Sequence, residues 1–260
     1  MNFDIDRYLA SVEALDDLDI DYASFATRPV EPDLLRCLQY MHDIEHHTTC
    51  YLRDLLVTSA HEDPAITSFL TMWAYEEHWH GEAIGRVLDA HGLDNGRARI
   101  STTRRRVGRD RLRTLGFMSI SALTDHVVAI AMTWGAINEW TTQAGYLRLA
   151  QLTDQPQLQR LLRRIARQEG RHIDFYVTQS EQRLASGAAQ RWVRTALRTK
   201  WKPVGSNVMP RAETDHVIAT LFAGDDGRAM ADRIDARISR LPGLDGLGLV
   251  ARSRAAALVA

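Results

Sequence analysis

Residues 73–82 read Trp73-Ala74-Tyr75-Glu76-Glu77-His78-Trp79-His80-Gly81-Glu82. Glu77 and His80 stand three residues apart, the spacing that sets two side chains on one helix face, one turn from each other. The same pair recurs as Glu169 and His172 within Ile165-Ala166-Arg167-Gln168-Glu169-Gly170-Arg171-His172. Steps of three and four residues from each pair trace apolar seams: Ile66, Leu70, Trp73, Glu77, His80, Ile84 and Val87 in one, Leu158, Leu162, Ile165, Glu169, His172 and Tyr176 in the other. Glu45 lies on a third seam with Leu34, Leu38, Met41, Thr48, Leu52 and Leu55. Glu139 lies on a looser one through Ala122, Asp125, Ala129, Met132, Ala136, Gln143 and Tyr146. Nearly every periodic stretch has the helical period and none alternates as a strand would, so the fold class is all-α.

No Lys or Arg interrupts these seams. A carboxylate left charged and unpaired in a dry core costs several kcal/mol, so four of them demand a compensating positive charge. Two divalent ions supply it against four Glu and two neutral His. Oxygen and nitrogen donors without a thiolate suit iron, with manganese as the other choice. The halves also correspond: 94 residues separate Glu45 from Glu139 and 92 separate Glu77 from Glu169. That register predicts two half-sites at equal depth about a pseudo-twofold axis.

From these seams the boundaries follow. A short acidic helix is expected near 4–18, then long helices from Pro32 to about Ser59, Pro64 to Ala90, Arg113 to Leu152, and past Pro156 to about Ala185. The third is long enough to require a break near Gly116 or a bulge near Gly135. Residues 93–112 are polar and Arg-rich, and read as an unpatterned crossover. Short, long, short connections match a ferritin-like four-helix bundle, with its core over 31–185 and a helical extension over 186–260 of one domain spanning 1–260. Within that extension, 187–201, 211–222, 226–240 and 248–259 read as shorter helices.

Other features have plainer readings. Glu213 and His216 repeat the spacing but follow Pro210 at a helix start, where an acid favours the dipole. Glu76 reads as a surface carboxylate or one that contacts a ligand, and His42, His46, His47 and His78 as outer-face residues or neighbours of ligands. Asp125 is about 20 Å along its helix from Glu139, too far to share its ions. Eight arginines lie between 97 and 113, a solvated connection or a dock for an acidic partner. Cys37 and Cys50 are too far apart on one helix to bridge. The net charge of −1 excludes a polycation built for nucleic acid. With no apolar run long enough to span a bilayer and no secretory pattern at the start, a cytoplasmic protein is expected.

The two motifs resemble those of the soluble acyl-carrier-protein desaturases, a family of the ferritin-like superfamily. Residues 73–82 are similar to that family's tryptophan-led double-Glu motif ending in His, Gly and an acid, and 165–172 to its second motif, with Arg before the ligand His. Glu139 followed by Thr142 is similar to the family's Glu and its threonine on the oxygen side of the metals. Gln168 departs from the acid that many members carry there, a residue linked to electron delivery.

The resemblance, which covers about residues 34–180, implies two iron ions bridged by Glu77 and Glu169, with Glu45, His80, Glu139 and His172 as terminal ligands. It further implies an oxidation by molecular oxygen that introduces a double bond into a fatty acyl chain on acyl carrier protein. A ferredoxin-type electron donor and a homodimer go with it. The rivals are an aldehyde-deformylating oxygenase with the same ligand set, an N-oxygenase, which expects a His where Ile165 and Ala166 stand, and an iron-oxidising store.

Overall fold

The structure, a computed structural model, describes residues 3–106, 110–124 and 126–259. Helix formation starts where the sequence supplies caps. After α1 (Ile5–Ser11), α2 (Pro32–Glu45) and α3 (Thr48–Leu56), the carboxylate of Asp63 accepts from the amides of Ala65 and Ile66, and Pro64 opens α4 (Pro64–Ala90). Gly92, at φ +70°, closes α4 by turning the chain so that Leu93 donates its amide to the Leu88 carbonyl. Next come α5 (Arg97–Arg106), α6 (Asp110–Leu123) and α7 (Val127–Leu152), then α8 (Pro156–Arg183), capped by Gln155 and opened by Pro156. The chain finishes with α9 (Gly187–Lys200), α10 (Arg211–Leu221), α11 (Gly224–Ile238) and α12 (Leu249–Ala257). All regular structure among the described residues is helical.

Four long segments make the bundle. α2 and α3 pack on α4, α7 packs along α8 across a three-residue link, and α4 meets α8. The apolar faces of all four fill one continuous core. α9 and α11 lie on α7, while α10 bridges α2, α7 and α12, so the extension covers the side of the bundle formed by α2 and α7. The acidic N-terminal stretch straps the opposite side. Asp19 pairs with Arg160 and Arg164 of α8, and Asp17 with Arg86 of α4. Asp17 and Asp19 are therefore neutralised within the chain.

Four expectations need correction. The N-terminal helix is only Ile5–Ser11, because the residues after it are held as an extended strap by α4 and α8. The helix expected from Pro32 to Ser59 breaks after Glu45, where His46 and His47 tighten the backbone, the His47 amide donating to the Ile44 carbonyl. No Gly or Pro marks that break. The crossover is largely helical, as α5 and α6; arginine is a good helix former, and the lack of an apolar stripe hid it. The third long segment breaks at 124–126, not at Gly116; Asp125 itself lies outside the described residues.

Gly135 is a close approach and not a bulge. A methyl group there would run into the ring of Tyr176, which is buried in the core. Gly135→Ala is expected to destabilise the fold by about 1–3 kcal/mol, the usual cost of overpacking a filled core. Chemical denaturation checks this; an unchanged midpoint would mean that α7 and α8 do not approach as closely as described.

Candidate metal centre

Each long segment delivers its acid to one buried point. The donor atoms of Glu45, Glu77, His80 and Glu169 all lie within 4.8 Å of one another, as do those of Glu77, Glu139, Glu169 and His172. Glu77 and Glu169 belong to both sets. All six residues are buried, and the Nδ1 atoms of both imidazoles face the carboxylates: His80 Nδ1 is 3.3 Å from Glu77 and 3.4 Å from Glu169, and His172 Nδ1 is 3.0 Å from Glu169 and 3.2 Å from Glu77.

The electrostatics show what the cluster lacks. Burial, reinforced by Glu77, raises the Glu45 carboxyl well above the ordinary range; burial with Glu169 and Glu77 does the same to Glu139. Burial opposes charge on His80, but hydrogen bonds with Glu169 and Glu77 outweigh it and raise its pKa to about 9. His172 is raised for the same reason by Glu169, Glu76 and Glu77. Without another cation, protons must therefore balance the four carboxylates. Glu169 Oε1 is buried without a well-formed hydrogen bond, His80 Nδ1 standing 3.4 Å away. These residues could hold two metal ions that share Glu77 and Glu169, and the orphaned oxygen and the charge deficit both fit that cargo.

Around the six, a further layer fixes each donor. Tyr146 donates its hydroxyl to Glu45, and Trp73 Nε1 donates to Glu139 Oε1 at 3.1 Å. Each imidazole turns its Nε2 toward the residue just before the Glu of the opposite helix. His172 Nε2 lies 2.9 Å from Glu76 Oε2, and His80 Nε2 lies 2.9 Å from Gln168 Oε1. This pins the rings with Nδ1 facing inward. The two halves differ in charge and are balanced separately. Glu76 also accepts from Arg171, the residue before His172, and from the Tyr8 hydroxyl at 2.9 Å. On the other side the partner is the neutral Gln168, and Trp79, not arginine, stands at the matching position before His80.

Glu76 is thus a buried contact of a candidate ligand, and not a surface group. Likewise His42, His46 and His47 are buried, whereas His78 is exposed as an outer-face residue should be. His42 and His46 pack against α4 at Gly85 and Gly81, which buries them. Glu213 forms an ion pair with Arg36, which accounts for it structurally. The donors Tyr146 and Trp73 were on the seams already, but a seam position does not distinguish a hydrogen-bond donor from packing. Tyr8 and its route to Glu76 had no sequence signal.

An apolar cavity of about 80 Å³ adjoins the cluster at Glu45. Met41, Ile44, Thr142 and Gly145 form its bundle wall, and Val217 and Phe222 of the extension line its other side. Thr142 therefore stands beside the Glu45 end of the site. No family model and no curated protein matches the chain.

The raised His80 pKa fixes the sign of a pH effect. In the metal-free protein its favourable charge is fully present below the unfolded value of 6.5 and is lost as pH rises through about 9. The melting temperature of the metal-free protein should accordingly fall between pH 6.5 and 9.5. A flat profile over that window would contradict the protonated cluster.

Proposed function

We propose that the protein is a di-iron, oxygen-dependent oxidase that desaturates a fatty acyl chain presented on acyl carrier protein. The observation that carries this reading is the apolar cavity that ends at Glu45, one of six buried donors arranged as two overlapping sets. A metal store has no use for such a cavity, and a purely structural site has no need of one. Two reduced irons, when bound, supply the activation of molecular oxygen. In balance, one oxygen molecule, two electrons and two protons convert an adjacent pair of methylene groups to an alkene and leave two waters.

The chain's own residues do the positioning. Tyr146 and Trp73 hold Glu45 and Glu139, Gln168 and Glu76 orient the imidazoles, and the extension supplies apolar side chains to one side of the cavity. Thr142 lines the same cavity as Glu45, which supports its assignment as the residue on the oxygen side. Gln168 supports electron entry by a route other than an acid at that position, with a ferredoxin-type protein as donor. For the carrier protein, the arginines divide. Arg99 is committed to Asp43, with Nε and Nη2 bonds of 2.8 and 2.7 Å, and Arg104 donates to the His46 carbonyl. Arg97 and Arg105 line an open basic pocket and pair with no acid among the described residues, so they are the docking candidates.

Turnover decides the reading. Iron-loaded protein with oxygen, a ferredoxin and its reductase is expected to yield an alkene from acyl carrier substrates; a shortened alkane from free aldehydes would assign the deformylating chemistry instead. A cavity variant tests the substrate route. A side chain at 145 would press on Met41 and Leu221, so Gly145→Leu should abolish turnover of long chains at unchanged iron content. Retention of full activity on long chains would remove the cavity from the substrate path.

A further inference from the structure

Helix α4 carries a second set of metal-binding side chains on its other face. His78 and Glu82, four residues apart, point away from the Glu77 and His80 side and are exposed. His46, from the turn between α2 and α3, lies against the same helix at Gly81, where a Cβ atom would come within 2.8 Å of His46 Nε2. Donor atoms of His46, His78 and Glu82 all fall within 4.8 Å of one another. None of the three belongs to the six-residue cluster.

The bland explanation would be a histidine stack with an acid nearby. His46 does stack edge-on with His42 and His78, with ring centroids 4.7 and 5.6 Å away. However, the His46 side chain is buried, with only 7% of the residue exposed, and neither ring nitrogen has a hydrogen bond among the described residues. Its Nε2 is 3.7 Å from Glu82 Oε1, too far for a hydrogen bond. His46 Nε2 lines an open pocket without a hydrogen bond, and donor atoms around a tetrahedral ion at about 2.0–2.1 Å stand roughly 3.3 Å apart. A small closure by the exposed His78 and Glu82 brings the three to that spacing.

We propose that His46, His78 and Glu82 bind one divalent transition ion of the zinc class, separately from the buried centre. Two imidazoles and one carboxylate are a borderline donor set of the kind zinc accepts, and three protein ligands leave a fourth position open. That position faces a pocket of about 1080 Å³ that also carries Arg97 and Arg105. Those cations oppose a bare dication, and an anion or hydroxide in the open position offsets them.

The test is calorimetric titration of the metal-free full-length protein with Zn2+, comparing it with His78→Ala and Glu82→Gln. Both side chains are exposed, so the variants should keep the parent melting temperature. The parent is expected to bind one more zinc per chain than either variant, or to bind it at least about 10–100-fold more tightly, the scale on which even outer contacts of a metal site matter. Any zinc taken up by the buried six residues is common to all three proteins, so the difference reports the outer site whether or not the buried centre binds iron. Equal stoichiometry and affinity in all three would overturn the proposal. So would simultaneous loss of every zinc site in folded Glu82→Gln, which would mean that Glu82 acts through the buried cluster.

Discussion

Four carboxylates share a space from which water is excluded, and the architecture is the set of arrangements that makes this tolerable. Isolated charges of one sign in a core are among the most expensive things a protein can contain. Here the compensation is layered. Two imidazoles sit among the acids with Nδ1 inward, Tyr146 and Trp73 donate to Glu45 and Glu139, and the remaining deficit is filled by protons or by metal. The long helices are needed because each contributes only one or two donors at a fixed depth. Their packing must be close enough to hold those donors together, and the contact of Gly135 with Tyr176 shows how little slack remains.

The pseudo-twofold arrangement is close in geometry and broken in charge. His80 and His172 use the same kind of partner, the residue before the Glu of the facing helix. On one side that partner is an acid neutralised by Arg171; on the other it is an amide, and arginine is replaced by Trp79. Each substitution makes sense only with its companion, since Gln168 beside an arginine would leave a cation unpaired and Glu76 beside a tryptophan would leave an anion so. The two ions of an occupied site would therefore see unequal fields. A redox reaction that passes electrons in from one side has a use for that inequality.

Much of this was legible because period and spacing are physical constraints. An acid on an apolar helical seam must be explained, and four of them in matching register have few explanations. Glu45, Glu77, His80, Glu139, Glu169 and His172 could thus be named together from sequence, and the structure brings them together. The start of α4 was equally clear, since Asp63 and Pro64 cap and open it. What escaped notice lacks a local signature. The break after Glu45 arises from tertiary packing of His46 and His47, not from a glycine or proline, so a continuous seam suggested a continuous helix. The α5 helix has no apolar stripe, and its anchor to α2, Arg99 on Asp43, joins residues 56 positions apart. The hydrogen bond from Tyr8 of α1 to Glu76 joins residues 68 positions apart in sequence, beyond any periodic argument.

The most direct measurement is anomalous diffraction at the iron edge from crystals grown after anaerobic loading with ferrous iron. The account predicts two peaks inside the bundle, one contacted by Glu45 and His80, one by Glu139 and His172, and both by Glu77 and Glu169. A single peak, or none among these six side chains while they remain folded and buried, would contradict it.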